Sequence, residues 1–408
     1  MQFFRAIALI AAGLALAWLV ITKSLVAFLG GTAPQAALWL DPHDPQALLA
    51  LAESRLESAP AAGATLKKAR GWAEAALVRD PVNARGWRIL GQLADAAGDE
   101  RRAMVFMQAA ARRSIQESAA LHWLLRRADA RKDDAEALRV ADILLRTRTQ
   151  SMPHVLPVLG RIAETPEAVG ALERLLVTNP PWRRAFFASL PRAVTDARTP
   201  LRLLLAVRAG PDAPTLADIG EYVRLLVGHK LYELAYYTWL QFLPPDQLAG
   251  VGPLFNGSFE HDPSGLVFDW VMEGGTGATT EIALRPDWSG QRALLVSLGP
   301  GRVDLRGVSQ QLLLAPGTYR LQGKYQGEVL GPRGLVWRIG CGAGTALGQS
   351  PMMLGTAPDW KEITFAFTVP DADCRAQQLR LVLDARMASE QLVAGKVWID
   401  DLRIVREE

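Results

Sequence analysis

Two consecutive stretches decide the architecture: residues 84–117, ARGWRILGQLADAAGDERRAMVFMQAAARRSIQE, and residues 118–151, SAALHWLLRRADARKDDAEALRVADILLRTRTQS. Positions 4, 7, 8, 20, 24 and 27 of the first stretch are Trp87, Leu90, Gly91, Ala103, Met107 and Ala110. Positions 4, 7, 20, 24 and 27 of the second are Leu121, Leu124, Ala137, Ala141 and Leu144, whereas Leu125 departs from the small residue at position 8. Such spacing predicts helical hairpins, because small residues let two helices approach while large apolar ones fill the seam.

Weaker copies of this unit flank the two clear ones. Ala69, Ala73, Ala76 and Pro81 fit positions 20, 24, 27 and 32 of a preceding unit, and Ile219, Tyr222, Ala235 and Trp239 suit a later one. These positions resemble the tetratricopeptide repeat, a family of about 34 residues per unit. The resemblance implies an α-helical solenoid with an extended concave surface for binding proteins. An ordinary helical domain with accidental periodicity is the alternative.

Arginine pairs recur through this helical part, namely Arg101-Arg102, Arg112-Arg113, Arg126-Arg127 and Arg183-Arg184. They form either solvated helix faces or a groove for an acidic partner or a polyanionic glycan. Overall the chain has 408 residues with 45 basic and 42 acidic side chains, a net charge of +3, which disfavours a nucleic-acid partner. Only two cysteines and five histidines are present, which excludes a dense metal cluster.

The N-terminus reads MQFFRAIALIAAGLALAWLVITKSLVAFLGG, and residues 6–22 carry no charge. Seventeen residues reach the lower limit for a helix that crosses a bilayer. We expect residues 1–31 to form an uncleaved signal anchor, single-pass in a bacterial inner membrane, with the bulk of the chain in the periplasm. A signal peptide cleaved near Ala15-Leu16-Ala17 and a buried helix are the alternatives.

Composition changes at Pro244-Pro245 and Gly252-Pro253. Beyond them short alternating runs, separated by turns such as Pro316-Gly317 and Pro370-Asp371, predict an antiparallel β-sandwich. The opening LFNGSFE (254–260) and the closing VWIDDL (397–402) resemble the galactose-binding-type jelly roll of many carbohydrate-binding modules. The sequence thus predicts a multidomain α + β chain with a transmembrane helix (1–31), a tetratricopeptide-like domain (32–250) and a galactose-binding-like jelly roll (251–408).

The jelly-roll resemblance also implies a structural Ca²⁺ held by Glu260 and by Asp400 or Asp401. Hard carboxylate oxygens suit that ion. The alternative is that these carboxylates cap backbone amides or face water.

Sugar binding would need exposed aromatic faces beside polar groups. Trp288 and Trp360 each follow Pro-Asp in loop-like contexts and are the first candidates, with Trp270 and Tyr325 also available. Trp337 and Trp398 sit in alternating strands and are expected in the core.

Cys341 and Cys374 both lie in the strand-rich part and predict a disulfide in an oxidising compartment, with two unrelated buried thiols as the alternative. No HExxH, P-loop or GxSxG motif occurs, and no carboxylate pair marks a glycosidase. We therefore expect a non-enzymatic scaffold that holds proteins of an exopolysaccharide or cell-envelope assembly system and binds a glycan through its sandwich. A purely structural protein-interaction module without a sugar site is the alternative.

Overall fold

The protein is described from a computed structural model that covers residues 2–58, 63–208, 210–214, 216–285, 291–342 and 344–407. It divides into two compact units, Met1–Phe186 and Phe187–Glu408. The last α-helix ends at Leu248 and the first strand begins at Val271, and the domain boundary at 250/251 stays a prediction. The compact units, however, divide earlier, so the last helices belong to the same unit as the strands.

The first unit is built from helices that succeed one another along the chain. Their bounds are α1 (Gln2–Thr32), α2 (Pro34–Leu40), α3 (Pro45–Ser58), α4 (Gly63–Arg79), α5 (Ala84–Ala96), α6 (Glu100–Arg113), α7 (Ser118–Ala130), α8 (Asp134–Thr147), α9 (Met152–Glu164), α10 (Pro166–Val177) and α11 (Arg183–Ser189), the last of which crosses the boundary between the units. Within α1, the stretch Ala11–Thr32 is long and apolar enough to cross a membrane, a test that a signal sequence also passes.

Turn residues explain where the central hairpins bend. Gly98 (φ 75°) and Lys132 (φ 57°) adopt the left-handed conformation that ends α5 and α7. The next residues, Asp99 and Asp133, cap the following helices by accepting hydrogen bonds from backbone amides three residues on, at 3.0 and 3.1 Å. Two helical hairpins, α5/α6 and α7/α8, therefore lie where the repeat positions predicted them.

The residues at the repeat positions pack as their sizes suggest. Ala103, Met107 and Ala110 of the stretch 84–117 are buried, as are their counterparts Ala137, Ala141 and Leu144 of the stretch 118–151. Position 8 needs a small residue for a steric reason, because a Cβ added to Gly91 would lie 2.9 Å from Met107. Whether further units complete a solenoid stays a prediction.

Ion pairs connect successive hairpins at a constant spacing. Arg85 donates to Glu53 (2.9 Å), Arg127 to Asp95 (2.8 Å) and Arg161 to Asp129 (2.7 Å), and each pair spans 32 residues. Each bond joins the first helix of one hairpin to the first helix of the hairpin before it, so at least Arg127 of the arginine pairs serves this packing. Arg113 likewise donates to the Pro81 carbonyl, also 32 residues away.

The second unit contains helices followed by strands. Its elements are α12 (Thr199–Arg208), α13 (Leu216–Gly228), α14 (Tyr232–Phe242), α15 (Pro245–Leu248), β1 (Val271–Thr276), β2 (Ala278–Leu284), β3 (Arg292–Leu298), β4 (Asp304–Leu312), β5 (Gly317–Leu330), β6 (Leu335–Cys341), β7 (Thr345–Gln349), β8 (Gly355–Val369), β9 (Gln377–Leu383) and β10 (Ala394–Arg406). The strands pair antiparallel in the order β7-β6-β9-β4-β1-β2-β3-β10-β5-β8.

This sheet folds back on itself to enclose a core. Trp337 of β6, Leu381 of β9, Leu321 of β5 and Ile399 of β10 belong to one buried cluster, although their strands are far apart in the order. The two end strands also meet, since a Cβ added to Gly348 of β7 would lie 3.1 Å from the Phe367 Cβ of β8. The C-terminal part is therefore an antiparallel β-sandwich.

The opening motif (254–260) contacts the closing motif (397–402) through backbone atoms. Leu402 donates its backbone N–H to the Gly257 carbonyl (2.9 Å), and a Cβ on Gly257 would lie 1.9 Å from the Leu402 oxygen. Here β10 bulges, because its pairing with β5 shifts between Asp400 and Arg403. The motif residues that resemble carbohydrate-binding modules thus close the sandwich.

Helix α14 packs against the sandwich through aromatic rings. Trp239 meets Phe255 edge-on (5.0 Å between centroids), and Tyr236 meets Phe268 in the same way (5.2 Å). Glu233 adds an ion pair with Arg375 at 2.8 Å. These contacts explain why the late helices and the strands form one unit.

Candidate functional site

The aromatic residues expected to meet a sugar are placed unequally. Trp270 is wholly buried, with its ring 5.2 Å from Phe259 and 5.7 Å from Trp337, and its indole N–H donates to the Asn256 carbonyl (2.8 Å). Its expected availability to a ligand is therefore corrected: it is a core residue that ties down the opening motif. Trp288 lies outside the described residues.

Tyr325 is partly buried and packs on the core side of the sheet, and its contact with a ligand stays a prediction. It pairs across the sheet with Ile399, a fully buried residue, and packs against the core, which raises the pKa of its hydroxyl through burial. The residues before and after it on β5, Lys324 and Gln326, must then project from the opposite face of the strand.

Two other tryptophans do reach that outer face. Trp360 is half-exposed and lies within β8, where the register against β5 shifts, so it is a strand residue and not the loop residue that its Pro-Asp context predicts. Trp398 is half-exposed on β10 directly opposite Gln326, so the expectation that it belongs to the core is corrected. Val397 and Ile399 point inward on either side of it.

Arg285 joins the two tryptophans. Its guanidinium carbon lies 4.6 Å from the Trp360 ring centre and 5.5 Å from that of Trp398, and its Nη1 donates to Gln326 Oε1 at 3.0 Å. The ammonium of Lys324 lies 4.8 Å from the Trp360 ring centre. We call these five residues the tryptophan face. Cation–π contacts of this kind hold both rings in fixed orientations.

Two cavities open on this side of the sheet. One of about 660 Å³ is lined by residues that include Arg285, Gln326 and Trp398, together with Glu328, Thr356 and Lys396. The other, of about 620 Å³, is lined by residues that include Lys324, Gln322, Glu362, Thr364, Asp401 and Arg403. Gln322, Lys324 and Gln326 alternate along β5, so the cavities lie side by side over the same strand. Together they offer aromatic surface, amides, hydroxyls and charges of both signs.

The alternation of apolar and polar residues at 396–400 indicates that Trp398 faces outward, contrary to its predicted place in the core. In Lys396-Val397-Trp398-Ile399-Asp400 the apolar Val397 and Ile399 alternate with polar residues, and Trp398 shares the parity of the polar ones. That parity predicts an outward tryptophan. Arg285 carries no comparable signal, because its partners come from strands that are distant in the sequence.

The carboxylates implied by the calcium hypothesis lie at the β10 bulge. Asp400 is buried, which raises its pKa to about 6, and the charges of Asp401 and Glu260 push in the same direction. One hydrogen bond and one positive charge offset this rise in pKa only in part: the Asp401 amide donates to Asp400 Oδ1 (2.7 Å), and Lys324 Nζ lies 3.8 Å from Asp400 Oδ2. Lys324 itself pairs with Asp401 at 2.6 Å.

This carboxylate cluster fits a cation in charge but not in side-chain geometry. Within the described ranges there is no group of three or more histidine, cysteine, aspartate or glutamate residues that could hold a metal ion. Glu260 Oε1 accepts from the Arg292 amide at 3.2 Å, as a residue that caps backbone would. Ca²⁺ here would depend on backbone carbonyls for most of its ligands, and the site stays a prediction.

The two cysteines are joined. A disulfide connects Cys341, the last residue of β6, with Cys374 in the loop before β9, and their Cα atoms are 5.1 Å apart. Gln377 bonds to the carbonyl of Cys374 at 2.7 Å and is wholly buried. The bridge therefore fastens one end of the sandwich.

No protein-family profile and no curated protein sequence matches this chain. Among solved structures it is similar to one described as CBM4 (17% identity, TM-score 0.30, covering 38% of this chain and 99% of the other). It is also similar to TmCBM61 in complex with β-1,4-galactotriose (19%, 0.27, 38% and 99%) and to the CBM22-1 xylan-binding domain from Paenibacillus barcinonensis Xyn10C (13%, 0.24, 34% and 85%). Likeness at this level does not define a shared function, so function must be inferred from this chain's own residues.

Proposed function

We propose that this protein is a non-enzymatic, membrane-anchored binding protein whose β-sandwich holds a carbohydrate on the tryptophan face. The observation that carries the proposal is the pair of half-exposed rings, Trp360 and Trp398, that both contact Arg285, with Trp398 and Arg285 also lining one of the two cavities. Sugars expose both apolar C–H faces and hydroxyls, so a recognition site needs flat apolar surface beside hydrogen-bonding groups. The similarity to carbohydrate-binding modules is compatible with this proposal.

The polar side chains around the rings suit hydroxyl recognition. Gln326 and Arg285 are already bonded to one another, and Gln322 accepts from Arg403 at 2.9 Å, so their amide and guanidinium groups are held in place before a ligand arrives. A pre-formed site loses less side-chain freedom on binding. Two adjoining cavities over one strand would accommodate consecutive sugar units of a chain.

A binding role also fits the carboxylates better than catalysis does. Asp400 has the raised pKa of a candidate general acid, but it is buried and is not among the residues that line either cavity. The helical hairpins of the first unit would meanwhile hold a protein of an exopolysaccharide or cell-envelope assembly system at the periplasmic side of the inner membrane.

The test is glycan binding by the full chain in lipid nanodiscs, screened on an array of bacterial polysaccharides. For any glycan that binds, Trp360→Ala and Trp398→Ala should each weaken affinity about tenfold, equivalent to ~1.4 kcal/mol. Tyr237→Ala is the control, because Tyr237 is exposed on α14 away from the face and should change nothing. Trp288→Ala tests the remaining candidate in the same assay.

Two results would contradict the proposal. One is a folded protein that binds no glycan, which favours the purely structural module. The other is glycan binding that Trp360→Ala and Trp398→Ala leave unchanged, which would move the site elsewhere on the sandwich.

A further inference from the structure

Helix α1 is longer than a membrane is thick. It has 31 residues, about 46 Å at 1.5 Å per residue, whereas the hydrocarbon core of a bilayer is about 30 Å. If α1 crosses the membrane, about ten of its residues must stand outside the hydrocarbon.

The protruding part is the C-terminal end of α1. Large apolar residues from Leu14 to Ile21 are exposed, but Val26 is buried and a Cβ on Gly30 would lie 3.2 Å from Asp44 Oδ1 and 3.3 Å from Gln46 Cβ. A segment packed against polar residues at the start of α3 cannot also be surrounded by lipid tails. The membrane-covered stretch therefore ends near Lys23.

Helix α2 then returns toward that level. It follows α1 directly, and the residue after its end, Asp41, forms an ion pair with Lys23 at 2.7 Å. Nine residues separate Lys23 from Thr32, where α1 ends, which is about 14 Å of helix. The ion pair brings the end of α2 back to within the reach of one lysine side chain of the point at which α1 leaves the hydrocarbon.

An apolar surface faces outward from this level to about 9 Å above it, where Leu29 lies six residues beyond Lys23. Trp39 is 91% exposed and Phe28 72% exposed, and Leu25 and Leu40 are exposed beside them. Leu29, Trp39 and Leu40 line one shallow depression, so residues of both helices share the surface. We call these five residues the interface facet. Tryptophan is enriched where a bilayer meets water, because its ring is apolar and its N–H is polar.

We propose that α2 lies in the headgroup layer of the membrane that α1 crosses, with the interface facet covered by lipid. This inference rests on the membrane anchoring in the proposed function. The occupant follows from continuity: the facet is adjacent to the lipid-covered stretch of α1 and begins at Leu25, about 3 Å beyond Lys23. The headgroup layer is about 5–8 Å deep on each side, which is enough to cover one helix face.

The test is fluorescence quenching by spin-labelled lipids in nanodiscs that hold the full chain. Both native cysteines are in the disulfide, so a single added cysteine carries the dye. Trp39→Cys probes the facet, Leu16→Cys probes the centre of α1, and Val78→Cys on α4, where Val78 is 82% exposed, is the control in the same unit. We expect at least twofold quenching of the dye at position 39 by lipids labelled near the headgroup, and none at position 78. At position 16 quenching should come from lipids labelled deep in the tails.

The results at positions 16 and 39 distinguish the interfacial position of α2 from the membrane anchoring of α1. Quenching at 16 with none at 39 would overturn the interfacial position of α2 and leave the anchor intact. No quenching at either would overturn the anchor as well. A blue-shifted but unquenched dye at 39 would mean that protein, such as a second copy, covers the facet, and this too would contradict the proposal.

Discussion

The contacts that stabilise each compact unit internally differ in how far apart in the sequence their residues lie. In the first unit the ion pairs Arg85–Glu53, Arg127–Asp95 and Arg161–Asp129 each connect residues 32 apart, and they join α3 to α5, α5 to α7 and α7 to α9. In the second unit Gly257 meets Leu402, and β10 pairs with β3 and β5, over much longer separations. The first unit can therefore lose stability hairpin by hairpin, whereas the sandwich depends on a few distant contacts.

Removing the disulfide should produce the largest difference between the units. Cys341→Ser with Cys374→Ser releases a loop of 33 residues, which we expect to destabilise the sandwich by about 4 kcal/mol through loop-closure entropy. The measurement is hydrogen–deuterium exchange during urea unfolding, read peptide by peptide, because each unit contains six of the twelve tryptophans and total fluorescence would report both. Since both cysteines lie in the second unit, the helical transition of the first should not move; equal shifts in both units would refute the contrast.

Two glycines give the next contrast. Gly257→Ala would put a Cβ 1.9 Å from the Leu402 oxygen, which is backbone and cannot turn aside, so we expect the sandwich to lose about 3 kcal/mol. Gly71→Ala on α4 meets open space and should stabilise its helix by about 0.5–1 kcal/mol. Thermal unfolding of both variants checks the pair, and a harmless Gly257→Ala would mean that β10 does not need its close contact with the opening motif.

Acid should affect the sandwich in an unusual direction. The pKa of Asp400 is raised to about 6 by burial and by neighbouring carboxylates. A carboxyl whose folded pKa exceeds its unfolded value favours folding most below the unfolded pKa, and this advantage is lost as pH rises through about 6. Lowering the pH from 7 to 5 should therefore stabilise the sandwich by about 1–2 kcal/mol.

Asp400→Asn is the control for this effect, because it cannot ionise and should remove the pH dependence between 4 and 6. Calcium offers a second check: an ion at Glu260 and Asp400 would stabilise the charged carboxylate, so Ca²⁺ at pH 7 should raise the unfolding temperature of the native sandwich but not of this variant. Absence of any calcium effect in either protein would remove the metal prediction while leaving the pH prediction intact.

The helical unit should respond to acid in the opposite direction. Burial alone would raise the pKa of Glu53, but the hydrogen bonds and charges of Arg85 and Arg88 outweigh it and hold that pKa below its usual value. The stability this provides is present above the unfolded pKa and lost as pH falls below about 4.5.

Arg88→Ala should cost the helical unit about 2 kcal/mol at pH 7, because Arg88 is nearly buried between Glu53 and Glu117. Arg139→Ala, which breaks an exposed pair within α8, should cost only about 0.3–0.5 kcal/mol. Circular dichroism during urea unfolding compares the two. Equal losses would show that the contacts between hairpins do not contribute more than a surface pair.

The same difference in sequence separation explains how much of the fold and of the candidate site could be predicted from the sequence. Hairpins α5/α6 and α7/α8 were predictable because their packing residues and their turns at Gly98 and Lys132 lie within one 34-residue unit. Strand residues were harder, because the face on which a side chain lies depends on register. Trp270, expected to contact a ligand, is core, whereas Trp398, expected in the core, is half-exposed. The clustering of Arg285 with Trp360 requires the order β2-β3-β10-β5-β8, which no local pattern contains.

The position of β10 within the sheet has a consequence for how the chain is made. This strand lies between β3 and β5 and comes later in the sequence than either. A ribosome or a translocation channel delivers residues in order, so the helical hairpins can form as they emerge, while β3 and β5 must wait with unpaired edges until residue 406 is free. During that interval the strand unit is the part of the nascent protein that is most exposed to aggregation and most in need of a chaperone.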